Sequence, residues 1–280
     1  MNLERAELER LVRAALDEDV GRLDLTSEAV IPSDIRARGR FLAKQAVTLA
    51  GLDVARTAFR LLDGSALWET DLRDGESTEP GQTVACVTGQ ARAMLAAERV
   101  ALNFLQRLTG VATLTRRFVD AIAGTRARIR DTRKTTPLLR ALEKYAVEAG
   151  GGVPHRSGLD SGVLIKENHV RLAGSVGEAT RRACARDAGH VVEVEVEHLE
   201  QIEEALAAGA GMILVDNFTP DDVHEAVRMV GGRVPIEVSG GVRLENVRAY
   251  AEAGPDYIAV GALTHSAPAV DISLEIEPEG

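Results

Sequence analysis

The chain reads as an α/β protein: an incomplete α/β barrel of about six strands, residues 111–270, follows an α+β domain, residues 1–110. Three observations predict this. Beyond Gly124, short apolar runs alternate with segments whose apolar residues recur at helical spacing. Strand-then-helix units, repeated, require parallel strands, because each crossover must span the sheet. Nearly every apolar run then ends in polar or glycine residues, as in barrels that gather functional side chains at the C-terminal strand ends. A doubly wound sheet would concentrate them at one switch point instead. Fewer runs than the eight of a full barrel make this one incomplete.

The elements follow in order. Leu3, Leu8, Leu11, Val12, Ala15 and Leu16 give residues 3–17 an apolar helical stripe. Residues 39–51 and 81–89, bounded by glycines, read as strands, and residues 91–107 as a long helix. Barrel strands are predicted at 127–131, 163–165, 191–196, 212–215, 234–238 and 257–260. Helices are predicted between them at 138–149, 176–186, 199–208, 221–230 and 244–253. Residues 271–276 alternate polar and apolar, which predicts a last strand returning to the N-terminal domain. No low-complexity linker separates the domains.

Composition narrows the function. Hydrophobic residues make up 45% of the 280, enough for a packed core. The net charge of −10 and only 3% aromatics argue against a nucleic-acid partner. No run approaches the ~20 apolar residues that span a bilayer. The charged start, Met1-Asn2-Leu3-Glu4-Arg5, lacks a signal-peptide pattern. Cys86 and Cys184 have no metal-binding spacing and read as buried thiols of a reducing, cytoplasmic compartment.

Against that acidic background, three Gly-rich or apolar runs deliver cations in tight groups: Arg133 with Lys134, His155 with Arg156, and Lys166 with His169. Each alone reads equally well as a cap or surface charge. Together they suggest a small, multiply anionic ligand, since Arg recognises carboxylates bidentately and Lys adds a point charge. In residues 191–197, valines and Glu193, Glu195 and Glu197 alternate, so the glutamates face inward if the valines meet the outer helices. The alternative is an edge strand with a solvated acidic face. Glu195 and Asp216, on neighbouring strands, are candidates to share a divalent metal or a sugar's hydroxyls, and an oxygen-only donor pair suits Mg²⁺. Ser239-Gly240-Gly241 and Gly261-Ala262-Leu263, ending the last two strands, form candidate anion nests for a phosphate. On the helix over residues 97–106, Glu98, Arg99 and Asn103 read as a solvated face or an interface, with Arg99 structural.

At these residues the chain closely resembles the quinolinate phosphoribosyltransferase family, the carboxylating nicotinate-nucleotide pyrophosphorylases. The resemblance runs through Glu98-Arg99, Leu102-Asn103, Asp131-Thr132-Arg133-Lys134-Thr135, Tyr145-Ala146-Val147, Gly150-Gly151-Gly152 and His155-Arg156. It continues through Leu164-Ile165-Lys166, Asn168-His169, Glu193-Val194-Glu195, Leu214-Val215-Asp216-Asn217, Ser239-Gly240-Gly241 and residues 260–265, with a looser match at Asp24-Leu25-Thr26-Ser27. Thr109, where the family often has Ser, and Asp160-Ser161-Gly162 depart from its pattern without touching these positions.

The resemblance implies a homodimer, with higher assemblies left open, that joins quinolinate to phosphoribosyl pyrophosphate with Mg²⁺. The products are nicotinate mononucleotide, pyrophosphate and CO₂, on the way to NAD. It implies that Arg133, His155, Arg156 and Lys166 surround quinolinate, joined by Arg99 of the other subunit, which revises the structural reading of Arg99. Lys134 would contact both substrates, with Lys134, Glu195 and Asp216 catalytic. Glu195 and Asp216 would hold ribose and metal. Lys166, Ser239, Gly240, Gly241 and Gly261 would complete the phosphoribosyl pyrophosphate site. Two rival readings share the barrel: a molybdate-transport-associated relative with another anionic acceptor, and a non-catalytic phosphosugar sensor.

Overall fold

The computed structural model describes residues 4–186 and 189–279, so Leu3 of the predicted N-terminal stripe lies outside the described residues. In order the chain forms α1 (Arg5–Val20), α2 (Leu25–Val30), β1 (Arg36–Ala43), β2 (Val47–Thr48), α3 (Leu52–Leu62), β3 (Leu67–Glu69), β4 (Ser77–Thr78) and β5 (Thr83–Gln90). It continues with α4 (Ala91–Ala121), β6 (Arg128–Arg130), α5 (Arg140–Ala149), β7 (Val163–Ile165), α6 (Glu167–Ala173), α7 (Val176–Arg186), β8 (Val192–Val196) and α8 (Glu200–Ala207). It ends with β9 (Met212–Asp216), α9 (Pro220–Val230), β10 (Ile236–Ser239), α10 (Val247–Glu252), β11 (Tyr257–Ala259), α11 (Ala262–His265) and β12 (Ile272–Pro278). Among the described residues, no helix is long and apolar enough to cross a membrane.

These elements group into two compact units. The first takes Met1–Leu114, Pro137–Gly151 and Ser266–Gly280. Its antiparallel sheet runs β12-β1-β5-β3. Phe41, Phe59 and Trp68 form an aromatic cluster on it, with ring centroids 5.4 to 6.1 Å apart. Leu8, Val12 and Leu16, one helical turn apart, bury one face of α1. Asp24 caps α2, its Oδ1 accepting from the Thr26 and Ser27 amides at 3.1 and 3.0 Å. Asp74 serves the start of α3 likewise, accepting from the Gly51 and Leu52 amides at 3.0 and 3.2 Å. The local pattern did not announce α2, α3, β3 or β4.

The long helix α4 continues past residue 107, and the expected boundary at residue 110 falls inside it. Gly110 lies within the helix and packs closely. A Cβ there would sit 2.1 Å from the Pro268 carbonyl oxygen, so this glycine admits a backbone rather than ending a helix. Helix α5, expected with the barrel, groups with the first unit. Tyr145 donates to Asp74 at 2.6 Å, and Arg107 meets the fully buried Glu143 at 2.8 Å.

The second unit takes Thr115–Thr136 and Gly152–His265. Its six-stranded parallel sheet runs β6-β11-β10-β9-β8-β7, so the edges β6 and β7 do not pair with each other. Val153 extends the β6 edge by a single bridge, its amide donating to Ile129 at 2.8 Å. The predicted barrel strands appear with ends shifted by no more than a few residues, and α6 and α11 are additional. One set of side chains, including Ile129, Val194, Ile213, Val238 and Ile258, is at most 1% exposed. Each such aliphatic contributes roughly 1.5–3 kcal/mol by leaving water. The alternate set, including Arg130, Glu193 and Glu237, faces the other way and carries charge. Cys86 and Cys184 are unpaired and half-buried rather than buried; Cys184 donates to the Gly209 carbonyl at 3.4 Å.

Candidate active site

Most of the cavity residues sit at the C-terminal ends of the parallel strands, and His155 and Arg156 follow the single bridge at Val153. Beyond β6, the fully buried Asp131 accepts the His155 amide at 2.8 Å, which ties the loop carrying His155 and Arg156 to that strand end. The Lys134 amide donates to Thr132 Oγ1 at 3.0 Å, and Thr264 donates to the Lys134 carbonyl at 2.8 Å. Beyond β7, Lys166 reaches across to Glu195 on β8, Nζ to Oε2 2.5 Å. Asp216 ends β9 in register with Ser239 on β10.

These ends enclose a cavity of about 220 Å³. Arg133, Lys134, His155, Arg156, Lys166, Glu195, Asp216 and Ser239 all line it. Gly240, Gly241 and Gly261 do not. Arg99 is exposed on α4 of the first unit. Glu195 also borders a second hollow of about 160 Å³ with Glu197 and Arg171. The inward reading of the glutamates holds for Glu193 and Glu195, whose side chains are 9% and 10% exposed. Glu197 lies past the end of β8 and is exposed. His169 accepts the Lys166 amide at Nδ1, 2.9 Å, closing the first turn of α6 rather than facing the cavity.

Charge is divided across the site. Burial, and then the neighbouring Arg133, pushes the Arg156 guanidinium below its ordinary range. Two crowded, partly dehydrated guanidiniums make a site that an anion stabilises. Burial, and then the Glu195 carboxylate, pushes Asp216 up, against the opposing pull of Lys166 and Lys134. Two repelling carboxylates favour a cation, and hard oxygen donors suit Mg²⁺, so this pair fits the expected metal.

The Ser239-Gly240-Gly241 turn owes its shape to close approach. Gly240 has φ +86°, and a Cβ there would sit 2.2 Å from Asn217 Oδ1. Asn217 itself adopts φ 61°, and its side chain donates to Asp216 at 2.7 Å. An Asn in this left-handed region is held there by its surroundings, as is common at functional turns.

Sequence reasoning missed Arg130 and Glu237. Arg130 meets Glu237 at 2.5 Å and stacks over Tyr257 at 4.3 Å. Burial, and then Glu193, pushes the Glu237 carboxyl up to about 7. A lone Glu in Pro235-Ile236-Glu237-Val238, and Arg130 beside Ile129, were the available signals: charges in apolar strands demand partners.

Residues 111–275 match the family model of the quinolinate phosphoribosyl transferase C-terminal domain, and residues 24–109 match that of its N-terminal domain. The chain is 44% identical over 271 residues to the nicotinate-nucleotide pyrophosphorylase (carboxylating) of Mycobacterium leprae, covering 95% of each chain. It is 42% identical over 272 residues to a probable enzyme of the same name from Bacillus subtilis, covering 96% of this chain and 93% of that one. The crystal structure of NadC from Streptococcus pyogenes superimposes with a TM-score of 0.96 at 38% identity, covering all of both chains. Neither rival reading is favoured by these matches. The chain belongs to the quinolinate phosphoribosyltransferase family.

Proposed function

We propose that this protein transfers the phosphoribosyl group of phosphoribosyl pyrophosphate to quinolinate with decarboxylation, giving nicotinate mononucleotide, pyrophosphate and CO₂ for NAD synthesis. One observation carries the reading: a single cavity gathers Arg133, His155, Arg156 and Lys166 beside Glu195 and Asp216. The cationic group suits the two carboxylates of quinolinate. The acidic pair suits the ribose hydroxyls and Mg²⁺.

In the reaction the pyridine nitrogen forms a bond to ribose C1 while the C1–oxygen bond breaks, its electron pair leaving with pyrophosphate. Arg133 and Arg156 orient the dicarboxylate so that its nitrogen faces C1, a proximity effect. Glu195 and Asp216 favour the positive charge that develops at C1. Glu195 and Asp216 would hold Mg²⁺, which when bound would supply charge neutralisation for the departing pyrophosphate. Lys134 and Lys166 contact the anionic groups of both substrates. The pyridinium then accepts the electrons of the breaking carbon–carboxylate bond, CO₂ departs and the ring carbon takes a proton. Ser239 and the turn at Gly240 and Gly241, with Gly261, receive the 5′-phosphate.

The working form is a cytoplasmic homodimer in which Arg99 serves the partner's cavity, a role its exposure on α4 leaves open to it. The test mixes protein with quinolinate, phosphoribosyl pyrophosphate and Mg²⁺ and follows nicotinate mononucleotide by mass spectrometry, with nicotinate as control. Mg²⁺-dependent product from quinolinate alone is expected. A folded protein giving none overturns the reading in favour of another anionic acceptor.

A further inference from the structure

We infer that Glu193 and Glu237 are positioning residues: from the barrel interior they fix the orientation of the His155 ring, and with it the affinity for the acceptor's carboxylates. The inference rests on the reading that this cavity takes quinolinate.

His155 is the only imidazole on the cavity wall among the described residues. Its Nε2 lies 3.0 Å from Glu193 Oε2 and 3.6 Å from Glu237 Oε1. An imidazole nitrogen that faces carboxylate oxygens carries its proton toward them, which fixes the ring against a flip and commits that edge inward. Glu193 and Glu237 are 7% and 1% exposed, on strands β8 and β10 either side of β9. Buried carboxylates on this scale require cationic partners. Arg130 from β6, bonded to Glu237 at 2.5 Å, supplies one and His155 the other contact. Asp131 holds the backbone of the same histidine, so ring and main chain are anchored independently. Glu193 does not line the cavity, so its influence on a ligand must pass through His155.

The donor atoms of His155, Glu193 and Glu237 lie within 4.8 Å of one another, a spacing that a metal ion can bridge. Arg130 engages Oε2 of Glu237 while Oε1 faces His155 at 3.6 Å, so the carboxylate joins the cation to the ring, and the zinc arm of the test separates this arrangement from a metal site.

The test uses Glu193→Gln and Glu237→Gln, which keep shape and remove the carboxylate, assayed at about pH 8. Each is expected to raise the quinolinate KM roughly tenfold while the phosphoribosyl pyrophosphate KM stays within about twofold of wild type. In parallel, ¹⁵N-histidine NMR of the wild-type enzyme is expected to show a downfield Nε2 proton on His155, unmoved by quinolinate, that shifts upfield in Glu193→Gln. Unchanged quinolinate KM in folded variants overturns the inference, as does a wild-type Nε2 without a proton. Movement of the His155 signals with one equivalent of zinc overturns it in favour of a metal site. If the wild type makes no product from quinolinate, the proposed function fails separately, and the NMR arm still decides whether the carboxylates anchor the ring.

Discussion

The two faces of the six parallel strands are built from opposite chemistry. Ile129, Val194, Ile213, Val238 and Ile258 line one face, and all are essentially dry. Arg130, Glu193, Glu195, Asp216 and Glu237 line the other, within a few ångströms of the same backbone. The first face gains stability from every methylene it hides. The second gives stability away, because each buried charge must find a partner to break even. The difference teaches that a substitution's effect here is set by strand parity: one residue along, the same strand changes from scaffold to site.

The largest effect tests the site face. Arg133→Ala is expected to weaken quinolinate binding about a hundredfold, the scale of a lost bidentate Arg–carboxylate contact, with little change in phosphoribosyl pyrophosphate affinity or melting temperature. Isothermal titration of each substrate reads this, and equal loss of both would remove Arg133 from the acceptor site. The next effect asks whether the site face is complete within one chain. Arg99→Ala and Lys134→Ala, each inactive alone, are expected to regain about a quarter of wild-type activity when unfolded and refolded together, because half the dimers are mixed and each has one intact site. No recovery from properly mixed dimers would place Arg99 outside the partner's site.

The scaffold face answers differently. Ile213→Ala is expected to cost about 2–5 kcal/mol in denaturant unfolding while the quinolinate KM of the folded enzyme holds. A KM shift with no loss of stability would erase the distinction between faces. The smallest effect lies in pH. With its carboxyl raised to about 7 from an ordinary 4.5, Glu237 keeps its proton in the folded state where the unfolded chain has released it. Its contribution is therefore fully present below pH 4.5, falls as pH rises, and is gone above about 7, a change on the order of a few kcal/mol. Unfolding free energies of wild type and Glu237→Gln, measured across that window, are expected to differ by a pH-dependent amount in this direction. Parallel profiles would show that the Arg130 contact keeps Glu237 ionised throughout.

Much of this was legible in the chain. The alternation of valine and glutamate in residues 191–197 named the inward Glu193 and Glu195, and the three cationic groups named Arg133, Lys134, His155, Arg156 and Lys166 of the cavity wall. The end of the long helix was not legible, because α4 runs on to Ala121 and Gly110 within it packs against the Pro268 backbone, a contact no local window shows. Arg99 was legible as a polar position on a helix, and the structure leaves it exposed on α4.

By itself the sequence determined which residues could be strands, which of their sides was apolar, and where the polar ends fell, because side-chain parity and helical period are properties of neighbouring residues. Only the tertiary structure decided that Arg130, His155, Glu193 and Glu237 are partners, that α5 groups with the first unit, and that Glu195 meets Lys166. Parallel pairing brings together positions tens of residues apart, and nothing in a local window fixes the register in which distant strands meet.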